Sequence, residues 1–315
     1  AFHDTGENRE RTRIGSRRRT IMRWQAGRRS DNVEDRRGAG GTSRGIKIGG
    51  VLSLGILIVG ALLGKDLTPL ARMVSDVSVN APQGAADRSG VPGQGRSAEE
   101  NQLADFVSVV LADTEDTWTT LFKGMGKSYV KPKLVLFTDV VQSGCGNADA
   151  AVGPFYCPGD QKLYIDLSFY SDLRKKLGAP GDFAQAYVIA HEVGHHVQTL
   201  LGISQRLRAK ERGMSAVERN ALSVRQELQA DCFAGVWGHH ADQQRKLLEQ
   251  GDLEEALTAA TAIGDDHLQK QAGRAVTPET WTHGSSKQRV RWFNLGMKQG
   301  TVDACDTYAA DADVK

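Results

Sequence analysis

His191 and His195 stand four residues apart in His191-Glu192-Val193-Gly194-His195, inside the stretch FAQAYVIAHEVGHHVQTLLG. Apolar residues recur here at helical spacing, and in a helix a separation of four stacks two side chains on one face, one turn apart. Two imidazoles so placed can share one metal ion. Glu192 is turned by about 100° around the helix axis, so it can reach a metal-bound water without being a ligand. The three residue types predict hydrolysis by metal-activated water, with Glu192 as general base. Three fixed residues also arise by chance. The apolar setting gives these weight, because two histidines and an acid are costly to bury without a purpose.

A catalytic zinc takes three protein ligands and keeps one position open, so a third ligand is expected on a later helix. The segment VRQELQADCFAGVW carries Glu227 and Asp231 four residues apart, with Glu227 thirty-two residues beyond His195. Most Asp/Glu pairs lie on a solvated helix face. Here Leu228, Ala230, Cys232, Phe233, Ala234, Val236 and Trp237 surround the pair and predict a buried one. Glu227 is therefore the expected third ligand. Asp231 is expected to accept a hydrogen bond from the non-ligating nitrogen of a liganding histidine. The ligand types point to Zn2+, one ion per chain. His283, in THGSSKQR, is a candidate for stabilising a developing oxyanion, beside the reading of a surface or helix-entry histidine. His196 points away from the ligand pair and reads as a packing residue, and His239, His240 and His267 carry no ligand signal beyond residue type.

The elements that must position these residues are mostly helical. Leu103, Phe106, Val107, Val110, Leu111, Trp118, Leu121 and Phe122 mark an amphipathic helix. Lys133–Thr138 and Lys162–Leu167 read as short strands. The second could pair with an extended peptide, and equally could be an ordinary sheet strand. From Asp182 onward the signals are helical. Gly202 ends the first of these helices, and Ser215-x-x-Glu218, Asp252-x-x-Glu255 and Ser285-x-x-Gln288 read as capping-box starts of later ones. The expected fold is α+β, a mostly helical zincin-like domain with a small sheet over residues 99–315.

Apolar residues make up 40% and charged residues 25% of the 315, the balance of a globular protein. The net charge of +2 hides an uneven spread: residues 1–47 carry thirteen Arg or Lys against six Asp or Glu, leaving the rest about −5. A basic head on an acidic body is not the footprint of a nucleic-acid-binding domain, and no nucleic-acid partner is expected. Residues 48–64 (IGGVLSLGILIVGALLG) hold no charge between Lys47 and Lys65. At 1.5 Å per residue they span roughly 25 Å, enough for a bilayer core. The run is longer than the apolar region of a cleavable signal and lacks a small-x-small cleavage site, which predicts one uncleaved transmembrane helix. The basic excess before it places the N-terminus in the cytoplasm and the domain outside. Residues 1–47 then read as a disordered cytoplasmic tail and 65–98 as a flexible linker.

HEVGHH followed by ELQADCFAGVW resembles the gluzincin arrangement, and more narrowly the chain resembles the bacterial putative neutral zinc metallopeptidase family of single-pass membrane proteins. The resemblance is carried by MRWQAGRRSDNVEDRRG, GPFYCPGDQKLYIDLSFY, AHEVGHHVQ, ELQADCFAGVWGHH and THGSSKQRVRWF, and runs from Met22 to the C-terminus. Met22 is the expected true start. The resemblance implies peptidase chemistry on a peptide or protein substrate. A non-catalytic zinc-binding envelope protein is the alternative, and the presence of Glu192 favours the peptidase.

Four cysteines, Cys145, Cys157, Cys232 and Cys305, allow three pairings, and sequence does not choose among them. Cys145 and Cys157 bracket a Gly-rich loop of the size a local disulfide closes. Pairing Cys232 with Cys305 would staple the C-terminal segment to the helix that carries Asp231.

Overall fold

Ser97 opens helix α1 (Ala98–Gly124) with a capping box: its hydroxyl accepts from the Glu100 amide, and the Glu100 carboxylate accepts from the Ser97 amide. The computed structural model describes residues 22–38 and 96–309, together with 312 and 314. The expected transmembrane helix, residues 48–64, lies outside this set. Among the described residues no helix is long and apolar enough to cross a membrane.

Residues 22–36 correct the reading of 1–47 as a disordered tail, because they belong to the same folded unit as the chain from Ser97 onward. Strand β1 (Val33–Asp35) pairs in parallel with β2 (Lys133–Phe137), Val33 opposite Leu134. Met22 is buried, and Trp24 sets its ring edge-on to Phe106 at 5.4 Å. The arginines read as solvated charge have partners on α1. Arg29 grips Asp105 through both oxygens at 2.8 and 2.5 Å, and Arg28 meets Glu115 at 3.0 Å and Asp116 at 2.8 Å. Ser30 and Asn32 donate to the other Glu115 oxygen at 2.6 and 2.7 Å, which satisfies a carboxylate that is 1% exposed.

The sheet runs β1-β2-β6-β5. After β2 come the hairpin strands β3 (Val140–Ser143) and β4 (Gly146–Asp149), then β5 (Phe155–Cys157) and β6 (Lys162–Asp166). β6 pairs in parallel with β2 and antiparallel with β5. The idea that the strand at Lys162–Leu167 receives a peptide is thereby corrected: β6 is flanked on both sides, and the edges of this sheet are β1 and β5. Alternation is absent from β2 and β6 because Leu134, Val135, Leu136, Leu163, Tyr164 and Ile165 are all buried, as in a sheet covered on both faces.

Helices complete the domain: α2 (Ser168–Lys175), α3 (Asp182–Leu200), α4 (Ile203–Lys210), α5 (Ala216–Arg245), α6 (Asp252–Ala262), α7 (Asp265–Gln271) and α8 (Ser286–Gln299). Gly202 follows α3 in the left-handed conformation at φ 71°, as its position predicts. The capping boxes at Ser215 and Ser285 form. The one read at Asp252 does not: Gly251 occupies the cap at φ 104°, and Asp252 turns back to accept from the Glu249 amide at 2.8 Å. The core lies where α5 crosses α3 and α8, with Trp237 stacked on Phe183 and Phe233 edge-on to Trp118.

Both proposed disulfides are present. Cys145–Cys157 ties the β3–β4 hairpin to β5, and Cys232–Cys305 ties α5 to the segment after α8.

Candidate metal centre

Gly194 decides how closely α3 and α5 approach. A Cβ there would lie 2.9 Å from the Ala230 carbonyl oxygen and 3.0 Å from the Ala230 Cα, so only glycine fits without pushing the helices apart. That contact brings the two halves of the site together. The Nε2 atoms of His191 and His195 lie 3.1 and 3.4 Å from the two carboxylate oxygens of Glu227. One donor atom from each of the three residues lies within 4.8 Å of the others. Two imidazole nitrogens and one carboxylate, converging from two rigid helices, match the donor set of a catalytic zinc. The residues fit the ion.

Hydrogen bonds fix which ring nitrogen would face an ion. His191 Nδ1–H donates to Asp231 Oδ1 at 2.8 Å, and His195 Nδ1–H donates to Gln198 Oε1 at 2.9 Å. Each Nε2 lone pair is left for a metal. Asp231 is fully buried and takes four hydrogen bonds in all, the others being Tyr187 Oη at 2.5 Å and Arg289 Nη2 and Nε at 2.9 Å each. Gln198 is itself held, donating to the Gln226 carbonyl at 2.7 Å and to Gln229 Oε1 at 3.1 Å.

Charges follow from this arrangement. Burial would lower the His191 pKa, but the Asp231 and Glu227 carboxylates override it and push it up to about 10. His195 is also raised: burial opposes it, and Glu227 wins. Burial alone would lift Glu227, yet the two histidines hold it well below the ordinary carboxylate range. Without a metal His191 therefore holds a second proton, which metal binding must displace. Glu192 behaves differently. Burial lifts its carboxyl above the ordinary range against the pull of both histidines, toward the basicity a general base needs near neutral pH.

His191, Glu192, His195 and Glu227 open onto a cleft of about 580 Å³. Its walls include Tyr156 and Phe155 of β5, Val188 of α3, Leu268 of α7 and His283. His283 is half exposed, with Nδ1 3.2 Å from Asp265 Oδ1, while Asp265 Oδ2 accepts from its backbone amide at 2.7 Å. His196 is buried between Tyr129 and Tyr156, its Nε2 donating to the Val130 carbonyl at 2.7 Å, which is a packing role. His239 and His240 bond the Met297 and Gly300 carbonyls at the end of α8. Sequence reasoning missed Tyr187, Gln198 and Arg289. Tyr187 precedes His191 by four and Gln198 follows His195 by three, so helical spacing held the signal for both. Arg289 arrives from α8 and left none.

Two histidines and a glutamate on crossed helices, with a second glutamate beside an open cleft, define a metallopeptidase-type site. The chain belongs to the family described as "Putative neutral zinc metallopeptidase", whose model matches residues 22–308. It is similar to "Uncharacterized protein YpfJ" of Escherichia coli K12, 50% identical over 295 residues that cover 91% of this chain and 99% of that one. It is also similar to "Uncharacterized protein Rv2575" of Mycobacterium tuberculosis H37Rv, 40% identical over 215 residues, 65% of this chain and 72% of that one. No solved structure matches the chain.

Proposed function

We propose that the protein is a zinc-dependent peptidase that hydrolyses peptide bonds in the cleft above α3. The observation that carries this reading is Glu192, a buried carboxylate lining the cleft with His191, His195 and Glu227, where a purely structural metal would need no base. When bound, zinc supplies Lewis acidity and lowers the pKa of its water. Glu192 takes the proton of the attacking water and passes one to the departing amine. The amide of Tyr156 faces the Glu192 carboxylate and steadies its charged form. His283, held by Asp265 in the wall of the same cleft, would donate to the oxyanion that develops on the scissile carbonyl. The β5 edge supplies backbone groups for an extended substrate, in place of β6. The two disulfides support a domain that works in an oxidising compartment outside the cytoplasm.

Glu192→Gln in the full-length protein tests the assignment. Stoichiometric zinc should be kept, and peptide hydrolysis should fall by at least 10²-fold, the low end for general-base catalysis. Zinc-loaded wild type that cleaves nothing in a broad peptide library would instead favour the non-catalytic zinc-binding envelope protein.

A further inference from the structure

Val188 stands three residues before His191 and four before Glu192, so it shares their face of α3, one turn nearer the helix start. It lines the cleft beside them, together with Phe169 of α2, Leu177, Ile263 just after α6 and Leu268 of α7. Phe169, Leu177 and Ile263 are half-buried: they pack on the core from behind and face the cleft in front. Local contacts hold these walls in place. The Gln271 side chain donates to the Lys176 carbonyl at 3.0 Å, which joins the end of α7 to the end of α2. A Cβ on Gly153 would meet the Phe169 ring at 3.6 Å, so the chain at Gly153 rests on that ring.

The charges of the cleft are matched among themselves. Asp172 and Lys176 pair at 2.8 Å, Arg289 pairs with Asp231 and His283 with Asp265, and Glu227 meets both His191 and His195. That leaves Glu192, which the hydrolysis uses. Among the described residues no other charged side chain lines the cleft. A substrate Lys or Glu set against Val188, Ile263 and Leu268 would give up its water without gaining an opposite charge. An apolar side chain in the same place removes apolar surface from water on both partners.

Distance along α3 says which substrate residue this is. A helical turn rises about 5.4 Å, and an extended peptide advances about 3.3 Å per residue. The side chain that reaches Val188 therefore belongs to a residue beside the bond that is cut. We propose, on the peptidase reading of the site, that Val188, Phe169, Leu177, Ile263 and Leu268 form a recess for a large apolar side chain. The substrates are then peptides cut next to a residue of the size of Leu or Phe.

The test uses zinc-loaded full-length protein and peptides that differ only beside the scissile bond, with Leu, Phe, Ala, Glu or Lys on either side. Leu or Phe on one side should raise kcat/KM at least about tenfold over Ala, the low end for one methylene in an apolar pocket. Glu and Lys there should fall below Ala. Leu268→Lys should keep its zinc and shift the ratio of Glu to Leu cleavage upward by at least about tenfold. Should that variant fail to fold, Val152→Lys decides by the same ratio, because Val152 lines the same cleft and is 58% exposed. The same peptides titrated onto zinc-loaded Glu192→Gln separate binding from cleavage. Tighter binding of the Leu peptide, with no hydrolysis by wild type, keeps the recess and sinks the peptidase reading. Equal binding across the set overturns the recess, whatever wild type cleaves. A preference for Glu that Lys176→Ala removes overturns it too, by assigning recognition to the rim.

Discussion

Two groups of acids at helix α3 are built on opposite terms. Beside its middle, Asp231 of α5 is fully buried, yet both oxygens are occupied, by His191, Tyr187 and twice by Arg289. Nine residues before His191, Asp182 faces Asp252 and Glu255 with buried oxygens that meet no donor among the described residues. A carboxylate supplied with partners by its own chain serves to orient a neighbour. One left without them holds its proton more tightly, as burial makes Asp182 and Asp252 do. The contrast separates a charged scaffold from a cluster in which burial opposes charge, although both are made from the same residue types.

The comparison predicts opposite signs for perturbing the two groups. Arg289→Met strips Asp231 of its cation and leaves a buried charge unpaired, so unfolding stability should drop by about 3–5 kcal/mol, read by denaturant titration. Asp252→Asn, which removes a carboxyl that burial already lifts to about 6, should be neutral or stabilising in the same assay. If the two variants lose equal stability, the contrast fails. The next effect comes from His196. Burial holds its pKa at about 4, below its ordinary 6.5, so the unfolded chain binds a proton that the folded one refuses between those values. Its stabilisation is present above pH 6.5 and is lost as the pH falls toward 4, by at most about 3 kcal/mol. A His196→Phe variant should show a shallower acid slope than wild type. The smallest effect lies at Gln198, which only aligns His195. Gln198→Ala should weaken zinc binding roughly tenfold, the lower bound for losing a partner that orients a ligand, with little change in fold. A metal-competition titration measures it.

What the sequence could disclose follows from how local each feature is. His191, Glu192 and His195 lie within one helical turn, and Glu227 and Asp231 within another, so spacing alone picked out residues that the fold brings together. Arg289 reaches Asp231 from α8, 58 residues later, through packing that no local period encodes. The segment from Met22 to Asp35 looked like a solvated basic tail for the same reason. Its arginines find Asp105, Glu115 and Asp116 some eighty residues away, and β1 is a three-residue strand without alternation. Asp252 was misread because a carboxylate at the start of a helix usually caps it, and here Gly251 does so. β6 was misread because a strand's own residues do not tell whether it lies at an edge.

The pairing of β1 with β2 also constrains geography. The chain leaves the domain after Arg36 and rejoins it at Ser97, and both points belong to one folded unit. A bilayer cannot run between two strands that share hydrogen bonds. Met22–Asp35 and the chain from Ser97 onward therefore lie on one side of any membrane, so a cytoplasmic N-terminal segment with the domain outside cannot hold for Met22–Asp35.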